Sequence, residues 1–253
     1  RHLRRRLSRL KRGKIVLAAS KPPYKCPPAP LETAMIINWW ARKKGIRKDL
    51  DISVYIPEPG PLGVAGKEAS MGVRAALDQR GIELVTGAGV TEVSANGREA
   101  SFADGSSTTA DIIATVPVHK MPDIVAASGV SNGKPWVPVN KTNLETATSN
   151  VFAIGDVNVV PSGDFAIPKA GVFAAGQGTK VGEVIASRIN ESDEPEPYDG
   201  IGFCYMAYSG GRSATVGGEF LAEGGPQTIL TDPTVSGMKS KDRFERDWRS
   251  FKI

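Results

Sequence analysis

Two hydrophobic periods alternate along the first 118 residues, one typical of β-strands and the other typical of α-helices. Short apolar runs predict four strands, at Lys14–Ala19, Ile52–Ile56, Ile82–Thr86 and Asp111–Val116. Helical spacing predicts helices at Ala29–Lys44 and Leu62–Arg80, and Gly45 and Gly81 are expected to end them. Strands that alternate with helices predict right-handed βαβ crossovers and a parallel sheet, so we expect an α/β fold.

Each predicted helix has one apolar face, and a hairpin interrupts the alternation. The inward-facing residues are Leu31, Ala34, Met35 and Trp39 in the first helix, and Ala69, Val73, Ala76 and Leu77 in the second. Asn96-Gly97 separates two short strand-like runs, Val90–Ala95 and Arg98–Phe102. An Asn-Gly pair between such runs predicts a tight β-hairpin turn.

The most informative stretch lies further along the chain, where NVFAIGDV is followed by IPKAGVFAAGQG. Val151–Ile154 predicts a short buried strand that stops at Gly155, which places Asp156 at the carboxyl end of the strand. Ligands of open α/β sheets bind at such ends, and a carboxylate there can accept hydrogen bonds from sugar or polyol hydroxyls.

A helix is predicted to start at Pro168 and to pack closely through its small residues. Pro168 suits the first helical position, and the small residues are Ala170, Gly171, Ala174, Ala175, Gly176 and Gly178. The helix start favours negative charge, to which Lys169 is expected to add a positive one.

These two motifs resemble the second flavin-binding motif of the flavoproteins that have two dinucleotide-binding domains. The resemblance implies FAD as cofactor, with Asp156 holding the ribityl chain. It also implies flavin contacts at Gly155, Val157, Pro168, Lys169, Ala170 and Gly171. The helix at Pro168–Gly171 is expected to direct its N-terminus at the pyrimidine edge of the flavin.

The loop between the first strand and helix lacks the phosphate-binding glycines of NAD(P) domains, for which GxGxxG is the usual pattern. It contains four prolines between Ser20 and Ala29 and no glycine, so backbone donors are removed. Glu58 falls near the place of a ribose-binding acid, but without the glycines we interpret it as a loop residue. We therefore expect that this domain does not use NAD(P)H.

The same loop presents Cys26 just before a helix start, with Lys21 and Lys25 nearby in sequence. These conditions lower the pKa of a thiol and raise its reactivity. KCPPAP followed by a helix resembles sulfide:quinone oxidoreductase and the flavoprotein subunit of flavocytochrome c sulfide dehydrogenase. Their second cysteine follows the flavin helix, in a segment similar to YDGIGFCY, which contains Cys204, the second of the two cysteines here.

The resemblance implies a sulfide oxidase in which Cys26 and Cys204 form a redox pair. Sulfide would attack their disulfide or polysulfide bridge, and the electrons would pass through the flavin to a quinone or another acceptor. Homo-oligomerisation is left open. Two alternatives also remain: a type II NADH dehydrogenase or ferredoxin reductase of the same fold, and a non-catalytic fragment of such a protein.

The first flavin fingerprint of the family would lie before Lys14, and it is absent from this sequence. The chain also begins without an initiator methionine. We therefore expect the C-terminal part of a longer protein, with the N-terminal FAD half missing. Expressed alone, the chain is expected to be colourless or to bind FAD weakly.

Charge is unevenly distributed along the chain. Arg1–Lys14 holds eight of the 32 basic residues and no acid, which leaves 24 basic and 27 acidic residues elsewhere. Such a cluster can bind nucleic acid or anionic lipid. Leu3, Leu7 and Leu10 fall at helical spacing, however, so we interpret the segment as a surface helix and expect no nucleic-acid partner.

The rest of the composition bounds the remaining function classes. Two cysteines 178 positions apart and two histidines do not form a zinc pattern, so no metal site is expected. No apolar run is long enough to span a membrane, and we expect a cytoplasmic protein that can associate peripherally with a membrane. In the C-terminal Met238–Ile253, Phe244, Trp248 and Phe251 share one helical face, which fits either an interfacial helix or a helix docked on the protein.

These patterns predict four segments. They are a basic helical lead-in over residues 1–12, a Rossmann-like domain with a β hairpin over 13–118, the C-terminal part of an FAD-binding domain over 119–190, and a segment with the second cysteine over 191–253.

Overall fold

The computed structural model describes residues 2–163 and 165–250. The chain divides into two compact units. The first comprises Arg1–Val118, Tyr205–Val216 and Ile229–Ile253, and the second comprises His119–Cys204 and Gly217–Thr228. The predicted limits of the four segments remain predictions.

Six helices and fourteen strands are defined within the described residues. The helices are α1 His2–Arg9, α2 Ala29–Lys43, α3 Gly66–Asp78, α4 Asp123–Ala127, α5 Gly171–Ile189 and α6 Val235–Ser250. The strands are β1 Gly13–Ala19, β2 Leu50–Tyr55, β3 Glu83–Val85, β4 Val90–Val93, β5 Glu99–Phe102, β6 Ser107–Thr109, β7 Ile112–Val116, β8 Val137–Pro138, β9 Asn158–Val159, β10 Pro161–Ser162, β11 Phe165–Ala166, β12 Ile201–Ser209, β13 Arg212–Glu219 and β14 Gln227–Leu230.

The core of the first unit is a four-stranded sheet in the order β3-β2-β1-β7, with every neighbouring pair parallel. The central strand β1 is buried from Ile15 to Ala19, as expected for a strand covered on both faces. The predicted α/β fold with a Rossmann-like parallel sheet is therefore confirmed.

The sequence pattern predicted the stop signals of α2 and α3 correctly but placed the start of α3 too early. Gly45 follows α2 at φ +72° and Gly81 follows α3 at φ +60°, so both predicted stop signals are used. The inward face predicted for α3 is buried. However, α3 begins at Gly66 instead of Leu62, because Leu62 is left-handed at φ +53° and a 3₁₀ turn follows it.

The predicted hairpin is present, and it continues into a third strand. Gly97 occupies the turn at φ +67°, and the Asn96 Oδ1 accepts hydrogen bonds from the Ser94 hydroxyl and the Arg98 N–H. Strands β4, β5 and β6 form one antiparallel sheet. The polar sequence of β6 gives no apolar signal, so the hydrophobic pattern does not predict it.

The strand predicted at Val151–Ile154 is wrong. Only Phe152 pairs there, in an isolated bridge with Glu145, while Val151 and Ile154 are 36% and 42% exposed. The Thr146 N–H donates to the Val151 carbonyl and the Ala153 N–H donates to the Leu144 carbonyl, but this pairing stays a single bridge and does not extend along the segment as a strand would. The regular pairing in this region is the parallel contact of β8 with β9, beyond the Gly-Asp turn.

The terminal helices agree with the sequence in kind. Helix α1 lies at the surface, with Leu3, Leu7 and the following Leu10 half-buried. Helix α6 starts three residues before the predicted Met238, and Phe251 lies outside the described residues. Among the helices in the described ranges, none has the length and apolar character needed to cross a bilayer.

Candidate active site

The Gly-Asp motif forms a 3₁₀ turn, Gly155–Val157, in the second unit. Gly155 has φ +73°, and a Cβ added to it would lie 3.4 Å from the Cβ of Ala174 in α5. Its N–H donates to the Gln177 Oε1 at 2.6 Å. Glycine thus meets both a left-handed backbone and a close approach to α5.

Gln177 organises the turn, although sequence reasoning did not identify it. Its buried Oε1 also accepts a hydrogen bond from the Asn158 Nδ2 at 3.0 Å, and the same Nδ2 donates to the Ala153 carbonyl at 2.8 Å. A buried amide must be paired, so this network fixes the turn against α5. A polar residue among the small residues of a helix face was the available signal.

Lys169 has a different role from the one expected at the helix start. It is only 8% exposed, and its Nζ donates to the carbonyl oxygens of Asp156 at 2.7 Å and Asn158 at 2.8 Å. The Nζ also lies 3.8 Å from the ring centroid of Trp136. Burial lowers the pKa of Lys169 to about 8, although the negative charge of Asp156 opposes that shift. The cation therefore holds the backbone of the Gly-Asp turn.

The helix predicted to begin at Pro168 begins at Gly171 instead. Ala170 is its N-cap residue in an extended conformation, and no side chain in the described ranges caps it. The N–H groups of Phe173 and Ala174 donate to the Ala170 carbonyl. The helix start is therefore open to an acceptor or an anion.

The turn and the helix start line one cleft. Its lining residues are Gly155, Asp156, Asn158, Ile167, Pro168, Lys169, Ala170, Phe173, Ala174 and Gln177. Asp156 is exposed while Asn158 and Gln177 are buried, so the carboxylate is available to a ligand. Except for Val157 and Gly171, the structure brings the predicted cofactor residues together in this cleft.

Cys26 occupies the loop between β1 and α2 in the first unit. It has φ +57°, a conformation that non-glycine residues adopt at a cost and that is frequent at functional sites. Its carbonyl accepts the Ala29 N–H at 2.9 Å, where α2 begins.

The expected lowering of the Cys26 pKa is wrong. Although the residue is exposed over much of its surface, burial of the thiol raises its pKa, and the charge of Glu32 raises it further. The positive charge of Lys241 and a hydrogen bond from the Ala29 backbone to the thiol act in the opposite direction. The cation that acts on the thiol is therefore Lys241, while Lys21 and Lys25, which the sequence suggested, are exposed residues of the loop.

Glu32 and Lys241 form a polar cluster with the chain at β12. The Lys241 Nζ lies 3.0 Å from the Glu32 Oε1 and donates to the Tyr205 carbonyl at 2.9 Å. The Glu32 Oε2 accepts the Ala207 N–H at 3.0 Å. Neither side chain was predicted from the sequence, because the two are 209 positions apart.

Glu58 already has a partner within the protein. The hydroxyl of the buried Tyr24 donates to the Glu58 Oε2 at 3.1 Å, and burial raises the pKa of both groups. This contact agrees with the interpretation of Glu58 as a loop residue.

Cys204 lies in β12 and is half-buried. Neither cysteine forms a disulfide in this structure. Cys26 belongs to the first unit and Cys204 to the second, so their pairing stays a prediction.

Residues 31–180 match the family described as pyridine nucleotide-disulphide oxidoreductase. The chain belongs to this family. The match includes α2, most of the parallel sheet, the Gly-Asp turn and the start of α5.

Solved structures with the same fold include two proteins described as oxidoreductases or reductases. Sulfide:quinone oxidoreductase from Aquifex aeolicus aligns with a TM-score of 0.78 at 21% identity, over 92% of this chain and 57% of that one. A ferredoxin reductase of the CYP199A2 system from Rhodopseudomonas palustris aligns with a TM-score of 0.54 at 22% identity, over 87% of this chain and 50% of that one.

A chain of the Tetrahymena thermophila mitochondrial ATP synthase aligns with a TM-score of 0.74 at 16% identity, over 96% of this chain and 58% of that one. The chain therefore spans between half and three-fifths of the length of these proteins. In this chain, the predicted site residues lie in the cleft, in the cysteine loop and, for Cys204, in β12.

Proposed function

We propose that the chain is part of an FAD-dependent oxidoreductase that oxidises sulfide through Cys26 and Cys204 and passes the electrons to a quinone. One observation carries the proposal. This chain belongs to the family, yet Cys26, with a left-handed backbone conformation, lies in the loop where an NAD(P)-binding domain has its glycines. The likeness of the fold to sulfide:quinone oxidoreductase supports the same choice.

The residues of the cleft fit a flavin. The exposed carboxylate of Asp156 suits the hydroxyls of a ribityl chain, and the uncapped start of α5 suits the carbonyl oxygens of a pyrimidine edge. The absence of a side chain at Gly155 lets the turn lie close to α5. Lys169 would keep the turn in place through the carbonyls of Asp156 and Asn158.

The cysteines would perform the sulfur chemistry. Hydrosulfide would attack one sulfur of a Cys26–Cys204 disulfide, so that one S–S bond forms, the old one breaks, and the products are a persulfide and a thiolate. Bound FAD would supply a two-electron acceptor for reoxidation of the sulfur pair and a donor to the quinone. The raised pKa of Cys26 makes its thiolate a stronger nucleophile but a poorer leaving group.

Substitution of each cysteine in the full-length protein tests this proposal. We expect Cys26→Ser and Cys204→Ser to slow sulfide-dependent flavin reduction by at least about 100-fold, because serine cannot form the sulfur bridge. The measurement is stopped-flow absorbance of the flavin, with the ratio of FAD to protein determined in parallel. The control is Lys25→Ala, which changes an exposed residue of the same loop. Full activity in either cysteine variant would rule out the mechanism. A loss of activity supports it only if the ratio of FAD to protein is the same as in the wild type.

Two observations favour other functions. The alignment with a ferredoxin reductase fits an enzyme that exchanges electrons with NADH, although the proline-rich loop argues against it. The alignment with a chain of a mitochondrial ATP synthase fits a non-catalytic subunit that keeps the fold. A full-length protein purified without flavin, and unable to bind added FAD, would support the second.

A further inference from the structure

The C-terminal helix α6 reaches the start of α2 through one side chain. The Lys241 Nζ lies 3.0 Å and 3.2 Å from the two oxygens of Glu32, and 2.9 Å from the carbonyl oxygen of Tyr205. The two charged side chains are only 30% and 20% exposed. Solvent and salt screen such a partly buried pair less than an exposed one, so its charges act more strongly on neighbouring groups.

The carboxylate in this pair is fixed close to the cysteine loop. The Glu32 N–H donates to the Pro28 carbonyl at 2.8 Å, and the Ala29 N–H donates to the Cys26 carbonyl at 2.9 Å. Glu32 thus lies in the first turn of the helix that Cys26 precedes. Its second oxygen accepts the Ala207 N–H, so the side chain cannot rotate away without losing two partners.

Two opposite charges act on the Cys26 thiol from different elements. Glu32, from α2, raises the pKa of the thiol, and Lys241, from α6, lowers it. Tyr24, in the same loop, donates its hydroxyl to Glu58 and also interacts with the thiol. The cation is therefore supplied by a segment that is more than 200 residues away along the chain.

We propose that Lys241 is a positioning residue for Cys26. Lys241 compensates the negative charge of the Glu32 carboxylate, and the charge state of the Cys26 thiol therefore depends on the docking of α6. The proposal rests on the proposed function in taking Cys26 as the reactive thiol. Without Lys241, the Glu32 carboxylate in the first turn of α2 would lose the cation that compensates it, and the Cys26 thiolate would be disfavoured.

The test is the pH dependence of alkylation of Cys26 by iodoacetamide in the full-length protein. Cys26 is exposed, and a trypsin site at Lys25 puts it on a different peptide from Cys204, so mass spectrometry follows it separately. For Lys241→Met we expect the midpoint of the pH profile of alkylation to move to higher pH, and the alkylation rate below that midpoint to fall by roughly threefold to tenfold. Lys241→Arg should preserve the wild-type profile, and Glu32→Gln should lower the midpoint.

The control is Lys239→Met, which removes the same charge from an exposed position of α6 and should leave the profile unchanged. A purely structural role for Lys241 would raise the alkylation rate at every pH without moving the midpoint. That result, or an equal shift in Lys239→Met, would overturn the proposal. If Lys241→Met does not fold, the Glu32→Gln variant tests the proposal instead, because an unchanged midpoint in that variant would also overturn the proposal. The assay needs neither sulfide nor flavin, so its outcome is separate from that of the proposed function.

Discussion

At the scale of single residues, the cleft depends on a lysine whose role is set by its contacts. Lys169 is buried beneath the turn, where its Nζ is shared between two backbone carbonyls and the face of Trp136. A cation over an aromatic ring and bonded to carbonyl dipoles replaces part of its lost hydration. Substitution of Lys169 is therefore expected to change the shape of the Gly-Asp turn more than the charge of the cleft.

Lys169 should make the stability of the protein depend on pH in the alkaline range. Burial lowers its pKa to about 8, against about 10.4 in an unfolded chain. Between these values the unfolded chain holds a proton that the folded chain has released, so the free energy of unfolding rises with pH. Relative to that of Lys169→Met, the free energy of unfolding of the wild type should rise by about 1–3 kcal/mol across this range.

Denaturant unfolding at several pH values measures this difference. The matched control is Lys134→Met, which removes an exposed lysine of the same unit, and for which we expect a difference that does not vary with pH. A difference for Lys169→Met that stays constant from about pH 8 to pH 10.4 would contradict the assigned environment of the amine.

The same scale shows what a sequence motif can identify. Asp156 and Lys169 were predicted as cofactor residues, and both line the cleft. The motif did not reveal that the Lys169 cation binds backbone carbonyls, or that Gln177 holds the turn. Both depend on where the chain folds back, which the local sequence does not encode.

At the scale of elements, α6 combines docking with an exposed aromatic residue. Lys241 and Phe244 contact the body of the first unit, and the Phe244 ring lies 5.7 Å from that of Tyr205. The Trp248 ring, 5.8 Å from Phe244, is in a residue that is 45% exposed. Tryptophan beside basic residues is typical of helices that lie at a membrane surface.

We propose a peripheral membrane contact through this part of α6, and sedimentation with anionic liposomes tests it. The full-length protein should pellet with the liposomes, and both Trp248→Ala and removal of the last 16 residues should reduce pelleting severalfold. Ile124→Ala is the control, because Ile124 is an 80% exposed apolar residue of the second unit. Pelleting of Trp248→Ala at the wild-type level would leave α6 as a docked helix only.

Element boundaries were predicted unevenly. The strands of the parallel sheet were found within two residues of their ends because apolar runs buried on both faces are distinctive. The run Val151–Ile154 looks similar in sequence, yet it is not a strand. The apolar run predicted burial that the fold does not provide, because Val151 and Ile154 are partly exposed and the backbone pairing is a single bridge.

At the scale of the whole molecule, the first unit keeps the sheet of a dinucleotide-binding domain but has a different loop at the usual phosphate position. Four prolines remove N–H donors from the loop between β1 and α2. Glu58, which falls near the usual place of the ribose-binding acid, is bonded to Tyr24. Both features disfavour binding of NAD(P)H.

We therefore expect NADH to reduce the flavin of the full-length protein at least about 100-fold more slowly than sulfide does. Stopped-flow mixing with each reductant measures the two rates. Equal rates would support a type II NADH dehydrogenase or ferredoxin reductase instead. Cys26→Ser serves as the control, because it should abolish the reaction with sulfide and leave any reaction with NADH.

The sequence by itself determined the α/β class, the parallel sheet and the motif that places the chain among the pyridine nucleotide-disulphide oxidoreductases. These follow from local periodicity and from residues close together along the chain. Only the tertiary structure decided the charge around Cys26, the anchoring of Lys169 and the role of Gln177. In each case the deciding partner comes from elsewhere in the fold, and burial and electrostatic fields depend on distance in space instead of distance along the chain.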